Sequence, residues 1–385
     1  MTSIKHIYLD NAATTPIDPQ VVEAMLPYLK DHFGNPSSSH SYGRKTKTAI
    51  ETSRRAIAKR LNCTPGEICF TSGGTEADNL ALKASVYDLG CTHIITSEIE
   101  HSAVIKTAEL LAEEGKVRLS LVKLTPNGHV DLEHLEQLLD TSDKTLVSLM
   151  HGNNEIANLL PLKRVSELCR AAGALFHSDT VQTMGHFAFD LQDLDIDFLT
   201  CAAHKLHGPK GIGFLYVNKD LKINAMITGG GQERSLRGGT ENLYGIVGLA
   251  KAIDLAYEHL QEHQDHVCAV KQHMIDRLTA ELPGVRFNGD CANPDSLYTV
   301  LNVNFPPTEN AGMLLFLLDL EGVACSGGSA CSSGASKGSH VLEGIKAIEP
   351  GRASLRFSFS RFTTKEHVDY AVEKILKVCK QTVEV

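Results

Sequence analysis

The stretch ALFHSDTVQTMGHFAFDLQDLDIDFLTCAAHKLHGPKGIGFLYV, residues 174–217, contains three short apolar runs: Ala174–His177, Phe198–Cys201 and Ile212–Val217. Each is too short for a helix, rich in aromatic or aliphatic residues and bounded by turn formers, which reads as a buried strand. Asp179 follows the first run and Lys205 the second, while Gly208-Pro209-Lys210-Gly211 turns the chain directly into the third. Outward from this stretch the same texture extends from about residue 45 to 260. Strand-like His93–Ser97 and Leu146–Met150 alternate with helix-like Ala77–Asp88, Val104–Glu114 and Leu162–Ala172. That alternation is the pattern of an α/β fold with a mostly parallel central sheet. His101, Asn153-Asn154, Asp179 and Lys205 all fall just beyond strand ends, where open α/β sheets bind ligands.

Past residue 250 the pattern changes. A long polar helix is expected from Ala250 to about Leu282, then a strand within Ser296–Phe305, an apolar helix and a C-terminal amphipathic helix from Lys365. This reads as a smaller α+β domain hinged on the long helix. Between its elements lies CSGGSACSSGASKGS, residues 325–339, whose glycines and serines read as a mobile surface loop.

The 385 residues suffice for one large domain and a smaller one, and 42% hydrophobic content supplies their cores. A net charge of −9 argues against nucleic acid as a main partner. The best apolar run, Met313–Leu318, breaks at Asp319, so no membrane helix is expected. The start MTSIKHIYLDN has no apolar signal core, which points to the cytoplasm. Ten cysteines without a CxxC spacing are expected to be free thiols in a reducing compartment. His259, His263 and His266 recur at helical spacing, but without HExxH they read as a solvated face, and no metal is expected.

Several local motifs admit two readings each. Ser72-Gly73-Gly74-Thr75-Glu76, between an apolar run and a helix, is either a phosphate cradle or a plain glycine turn. Asp179 suits a protonated heteroaromatic nitrogen, or an N-cap; Gln182 follows on the same side if a helical turn begins there. Lys205, after an apolar strand and beside His204, suits a Schiff-base amine better than a surface turn. Arg237-Gly238-Gly239-Thr240 is a phosphate ligand or a surface turn. Arg356, in an alternating run, is an inward carboxylate clamp or a solvent-facing edge residue. Cys331 lies on the Gly/Ser loop, where a thiol can travel and react, whereas Cys325 reads as packing at a strand end.

Ten motifs follow one another along nearly the whole chain: YLDNAATT (8–15), GNPSSSHSYG (34–43), TSGGTEADN (71–79), EHSAV (100–104), HGNNEIA (151–157), SDTVQ (178–182), AHKLHGPKGIG (203–213), RGGTEN (237–242), GSACSSG (328–334) and LRFSFSRFTT (355–364). In this order they resemble the NifS/IscS-type cysteine desulfurases, pyridoxal 5′-phosphate (PLP) enzymes of the class V aminotransferase fold, a fold type I transferase. The resemblance implies a large PLP-binding domain over 15–258 and a small domain from 1–14 and 259–385 that carries the catalytic cysteine loop. It implies Lys205 as the Schiff-base lysine, Asp179 as partner of the pyridine nitrogen, Gln182 as ligand of the ring oxygen and His101 as the stacking proton relay. Gly74, Thr75 and His204 resemble the phosphate cradle, with Thr240 lent by the other subunit of a homodimer. Asn154 is implied at the cofactor and, with Arg356 and Asn35, at the substrate L-cysteine; Cys331 is implied as the nucleophile that takes the sulfur as a persulfide. The implied partner is a sulfur-acceptor protein, an Fe–S scaffold among the candidates, although the longer tail that IscS-type members use on a scaffold does not follow Val385. Ala202 stands where the family usually has a phosphate-binding serine. Selenocysteine lyases and other class V aminotransferases share the fold, and Cys331 is the feature that separates them.

Overall fold

The structure, a computed structural model, describes residues 6–327 and 338–380. In chain order, β1 (Ile7–Tyr8), α1 (Pro19–Lys30) and α2 (Ser41–Arg60) precede β2 (Ile68–Thr71), α3 (Gly74–Tyr87), β3 (His93–Thr96), α4 (Ser102–Glu113) and β4 (Arg118–Leu121). Then come α5 (Leu132–Leu139), β5 (Thr145–Ser148), α6 (Leu162–Ala172), β6 (Leu175–Asp179), β7 (Phe198–Ala202) and β8 (Gly213–Val217). Helices α7 (Leu243–Glu258) and α8 (Leu260–Glu281) lead to β9 (Arg286–Phe287), β10 (Val300–Asn304), α9 (Leu314–Leu320) and β11 (Val323–Ala324). The last elements are α10 (His340–Gly344), β12 (Ser354–Ser358) and α11 (Lys365–Lys380).

Seven strands form one sheet in the order β2-β8-β7-β6-β5-β3-β4. Strands β3 to β7 pair in parallel, and β8 runs antiparallel to both β7 and β2. Two reversals restore β2 to the direction of β7. The carboxyl ends of β2, β3, β5, β6 and β7 therefore open on one rim, and β6 lies in the middle. Alternation along each strand splits its side chains between two cores. Val147, Leu199 and Phe214 pack on one face with Ile57 of α2, Val165 of α6 and Ile246 of α7. Leu146, Phe198 and Leu215 pack on the other with Leu80 of α3 and Val104 of α4. A parallel sheet buried on both faces reads as continuous apolar runs, which is why the runs in 174–217 are so plain in the sequence.

A second body is built on the three-stranded antiparallel sheet β12-β10-β9. The chain's beginning joins it, because β1 pairs in parallel with β11. Ile7 and Leu9 accordingly share an apolar core with Val300, Phe357, Val368 and Ile375. Two features depart from the sequence reading. The expected single helix from Ala250 begins earlier, at Leu243 behind the Asn242 cap, and is broken at His259 (φ −115°, ψ 24°) into apolar α7 and polar α8. Edge strand β4 is not among the expected strands: Arg118 and Ser120 interrupt the apolar run, leaving only a short polar–apolar alternation, RLSL, as its signal. No helix of the described residues is long and apolar enough to cross a membrane.

A buried ion pair fixes the segment that leads into Arg237–Asn242. Glu233, Arg234 and Ser235 all adopt left-handed backbone (φ 45°, 57° and 66°), which is costly for residues other than glycine. The Glu233 carboxylate accepts from Arg54 Nη1 and Nη2 at 2.7 and 2.8 Å and also from Phe70 N at 2.8 Å. The two side chains are 3% exposed each, so removing one strands the other's charge in the interior. Arg54→Ala is expected to lower the unfolding free energy by about 3–5 kcal/mol in urea titrations. A loss below about 1 kcal/mol, the range of a solvent-exposed pair, would contradict this anchoring role.

Candidate active site

The rim of strand ends encloses a cavity of about 180 Å³. Gly74, Thr75, His101, Asn154, Asp179, Gln182, His204, Lys205 and Arg356, dispersed over almost three hundred residues of chain, all line it. Beyond β2 the chain turns at Gly73, whose φ of 153° suits glycine. A Cβ on Gly74 would come within 2.8 Å of Val181 Cγ2, so the start of α3 approaches the cavity only as bare backbone. First-turn N–H groups of a helix have no intrahelical carbonyl, and with the helix dipole they favour an anion there. Glu76, in the same turn, is drawn off by Arg237 at 3.0 Å and Ser72 N at 2.9 Å.

His101 caps α4: its Nδ1 accepts from Ala103 N at 3.2 Å, so the proton of the neutral ring sits on Nε2. Asp179 ends the central strand, and its Oδ1 accepts from Val181 N at 2.8 Å. Burial first, and the neighbouring Asp78 carboxylate second, push its pKa up to about 6. Gln182 donates from Nε2 to Ala12 O at 3.0 Å. Lys205, on a single 3-10 turn after β7, donates from Nζ to Ala12 O and, at 2.9 Å, to Ala13 O. His204 meets Thr14 Oγ1 at 3.2 Å, and burial followed by the Lys205 and Lys210 charges drops its pKa to about 4, which keeps it neutral. Arg356 points inward and is 1% exposed; it donates to Asp10 Oδ1 at 3.0 Å and to Asn154 O at 2.9 Å. Its Nε has no hydrogen-bond partner among the described residues.

Two predicted residues stay outside the cavity of the single chain. Asn35 is exposed and spends its Oδ1 on Ser37 N at 2.9 Å, and Thr240 is exposed on the loop before α7. Cys331 lies outside the described residues. Ala202 lines the cavity at the end of β7. The nine other cysteines are free. Burial pushes the thiols of Cys63, Cys69, Cys169 and Cys325 up to about 12, those of Cys91, Cys291 and Cys379 up to about 11, and raises Cys201 and Cys268 as well. Among the described residues no cysteine is a ready thiolate. Cys325 packs against the second core, as a strand-end residue does.

Three contributors escape the sequence reading. Asp10, within YLDNAATT, is the partner of Arg356 and also accepts from Ser326 Oγ at 2.7 Å. Asp78 lies four residues after Gly74, a spacing that puts both on one helical face and is the available signal. Glu100, beside His101, accepts from Met150 N with both oxygens (3.0 and 3.1 Å) and from Ser97 Oγ (3.1 Å), tying the end of β3 to the end of β5.

A class V aminotransferase family model matches residues 7–371. A cysteine desulfurase IscS of Clostridium botulinum is 41% identical over 380 residues, covering 98% of this chain and 95% of that protein. The putative cysteine desulfurase IscS 1 of Bacillus subtilis is 41% identical over 383 residues, 98% of this chain and 100% of that one. A solved NifS-like protein superposes with a TM-score of 0.88 at 35% identity, covering 97% of this chain and 99% of its own. The chain belongs to the class V aminotransferase family, whose cofactor is pyridoxal 5′-phosphate. The cavity fits that group chemically. It offers an anion-binding helix start, a lysine amine and a buried carboxylate end where Asp78 has both oxygens unpartnered among the described residues.

Glu100 is the most readily tested of the new contributors. Burial pushes its pKa up to about 8, so the native protein holds a proton there that the unfolded chain releases near the ordinary carboxylate range. Stability contributed by this group is lost as pH rises through that interval. Glu100→Gln is expected to flatten the fall in urea midpoint between mildly acidic and mildly alkaline pH. Parallel profiles for the two proteins would contradict it.

Proposed function

We propose that the chain is a cysteine desulfurase. It converts L-cysteine to L-alanine while Cys331 accepts the sulfur as a persulfide, for delivery to an acceptor protein in Fe–S assembly or thio-modification. The observation that carries this reading is the single cavity in which Lys205, Asp179, His101 and Arg356 converge. When bound, pyridoxal phosphate supplies an electron-withdrawing ring that takes up charge developing at the substrate Cα.

Asp179 holds the ring nitrogen protonated, and Gln182 meets the ring oxygen. The α3 start at Gly74 and Thr75 holds the phosphate with neutral His204, and Thr240 reaches the neighbouring subunit's phosphate in a homodimer. Arg356, locked in position by Asp10, holds the substrate carboxylate through its remaining N–H groups with Asn154 beside it, and Asn35 would have to reach the substrate from outside the cavity of the single chain. Lys205 Nζ removes and returns the proton at the substrate Cα, with His101 Nε2 as the relay. Cys331, as thiolate, then attacks the substrate Sγ: the S–S bond forms as the Cβ–Sγ bond breaks, the electron pair of that bond stays with Cβ, which takes up a proton to become the alanine methyl, and the substrate thiol's own proton stays on the persulfide. The raised pKa values of the nine other thiols favour Cys331 for this step. The working units are 15–258, which carries the cofactor, and 1–14 with 259–385, which carries Cys331.

Cys331→Ser is expected to keep the cofactor's absorbance and reduce sulfide and alanine release from cysteine to background, because a hydroxyl is a poor nucleophile toward sulfur. Cys325→Ser is expected to retain most turnover. Mass spectrometry of the wild type after exposure to cysteine should find one added sulfur on Cys331. Turnover by the Cys331 variant with the added sulfur on Cys325 would move the nucleophile, and no sulfur on any cysteine would overturn the desulfurase reading.

A further inference from the structure

Asp78 is the most poorly satisfied buried group among the described residues that face the cavity. It is 1% exposed, and neither carboxylate oxygen has a hydrogen-bond partner among the described residues. An unpaired buried carboxylate is costly and persists in a fold only where something repays it. His177 comes nearest, with Nε2 at 3.5 Å from Oδ1. That nitrogen, however, lies 3.1 Å from Thr200 Oγ1, and the ring's Nδ1 lies 2.8 Å from Ser148 Oγ. Two hydroxyls thus satisfy His177 without Asp78.

The second observation is the company Asp78 keeps. An oxygen of Asp78, an oxygen of Asp179 and a ring nitrogen of His101 all lie within 4.8 Å of one another. Glu100 and His177 also face this group. Two carboxylates this close repel each other unless a cationic N–H stands between them. The third observation is the placement on α3. The helix brings its N-terminus to the cavity at Gly74 and Thr75, and Asp78 follows one turn, about 5.4 Å, deeper. One rigid element therefore addresses both an anionic and a cationic end of whatever fills the cavity.

We propose that Asp78 is a second anion for the protonated ring nitrogen of the cofactor, acting jointly with Asp179 to hold that nitrogen charged and to set the depth of the ring. The proposal rests on the reading of Asp179 as the nitrogen's partner. It makes Asp78 a positioning residue whose effect depends on the ring nitrogen alone, not on the phosphate or the aldehyde.

The test compares binding of pyridoxal phosphate with binding of its carbocyclic analogue, in which CH replaces the ring nitrogen. Both are titrated by fluorescence into the cofactor-free wild type and into Asp78→Asn, Asp78→Ala and Asp179→Asn. The wild type is expected to prefer the nitrogen compound. Either Asp78 variant is expected to lose about tenfold or more of that preference, because an opposite charge at this range shifts a pKa by roughly 1–3 units. Affinity for the carbocycle should hold or improve, and the melting temperature of the cofactor-free variants should not fall, since a like charge has been removed. Equal weakening of both ligands, or a lowered melting temperature with the preference intact, would show a structural role and overturn the proposal. Preference lost in Asp179→Asn but kept in both Asp78 variants overturns this proposal alone. No preference in the wild type overturns the Asp179 reading and this one with it.

Discussion

A carboxylate buried at the end of the central strand is the constraint on which the rest of this structure turns. Asp179 closes β6, the middle strand of a sheet covered by helices on both faces, where water cannot repay its charge. Its direct backbone donor is Val181 N, and the adjacent Asp78 adds a second negative group. A positive group entering the cavity would offset both carboxylates. The bare start of α3, the neutral His204, His101 and the amine of Lys205 line the same cavity.

The same cavity ties the two bodies of the molecule together. Residues 10–14 leave the small sheet and pass along the rim, where the carbonyls of Ala12 and Ala13 receive Lys205 and Gln182. Asp10 fastens Arg356 of β12, and Asp18 fastens Arg361 at 2.6 Å just beyond that strand. The Asp18–Arg361 pair crosses between the bodies and is largely removed from solvent, so separating them would break it and expose the site, whereas Asp10–Arg356 holds the clamp within the smaller body. The arginine expected to bind the substrate is thus prepositioned by a residue at the other end of the sequence.

Much of this architecture is legible in the sequence. Parallel strands buried on both faces leave continuous apolar runs, and polar residues just past their ends mark the rim; that logic finds His101, Asn154, Asp179 and Lys205. What escapes it depends on neighbours that a sequence does not display. β4 is a short, half-exposed edge strand, and Arg118 and Ser120 break the apolar run that marks the buried strands. The break at His259 divides two helices whose residues each suit a helix. Asp10 acquires its role only when Arg356, more than three hundred residues away, folds against it. Asp78 is readable by its spacing from Gly74, but nothing local reveals that its carboxylate has no donor among the described residues. Asn35 and Thr240 match the family's motifs yet lie outside the cavity of the single chain, so the motif alone does not place them at it.

The most direct measurement is the protonation state of the ring nitrogen in the wild-type holoenzyme, read from the nitrogen NMR shift of ring-labelled pyridoxal phosphate across the pH range in which the protein stays folded. The nitrogen is expected to remain protonated through neutrality and not to follow the solution pH. A nitrogen that titrates as it does in the free cofactor would contradict this expectation.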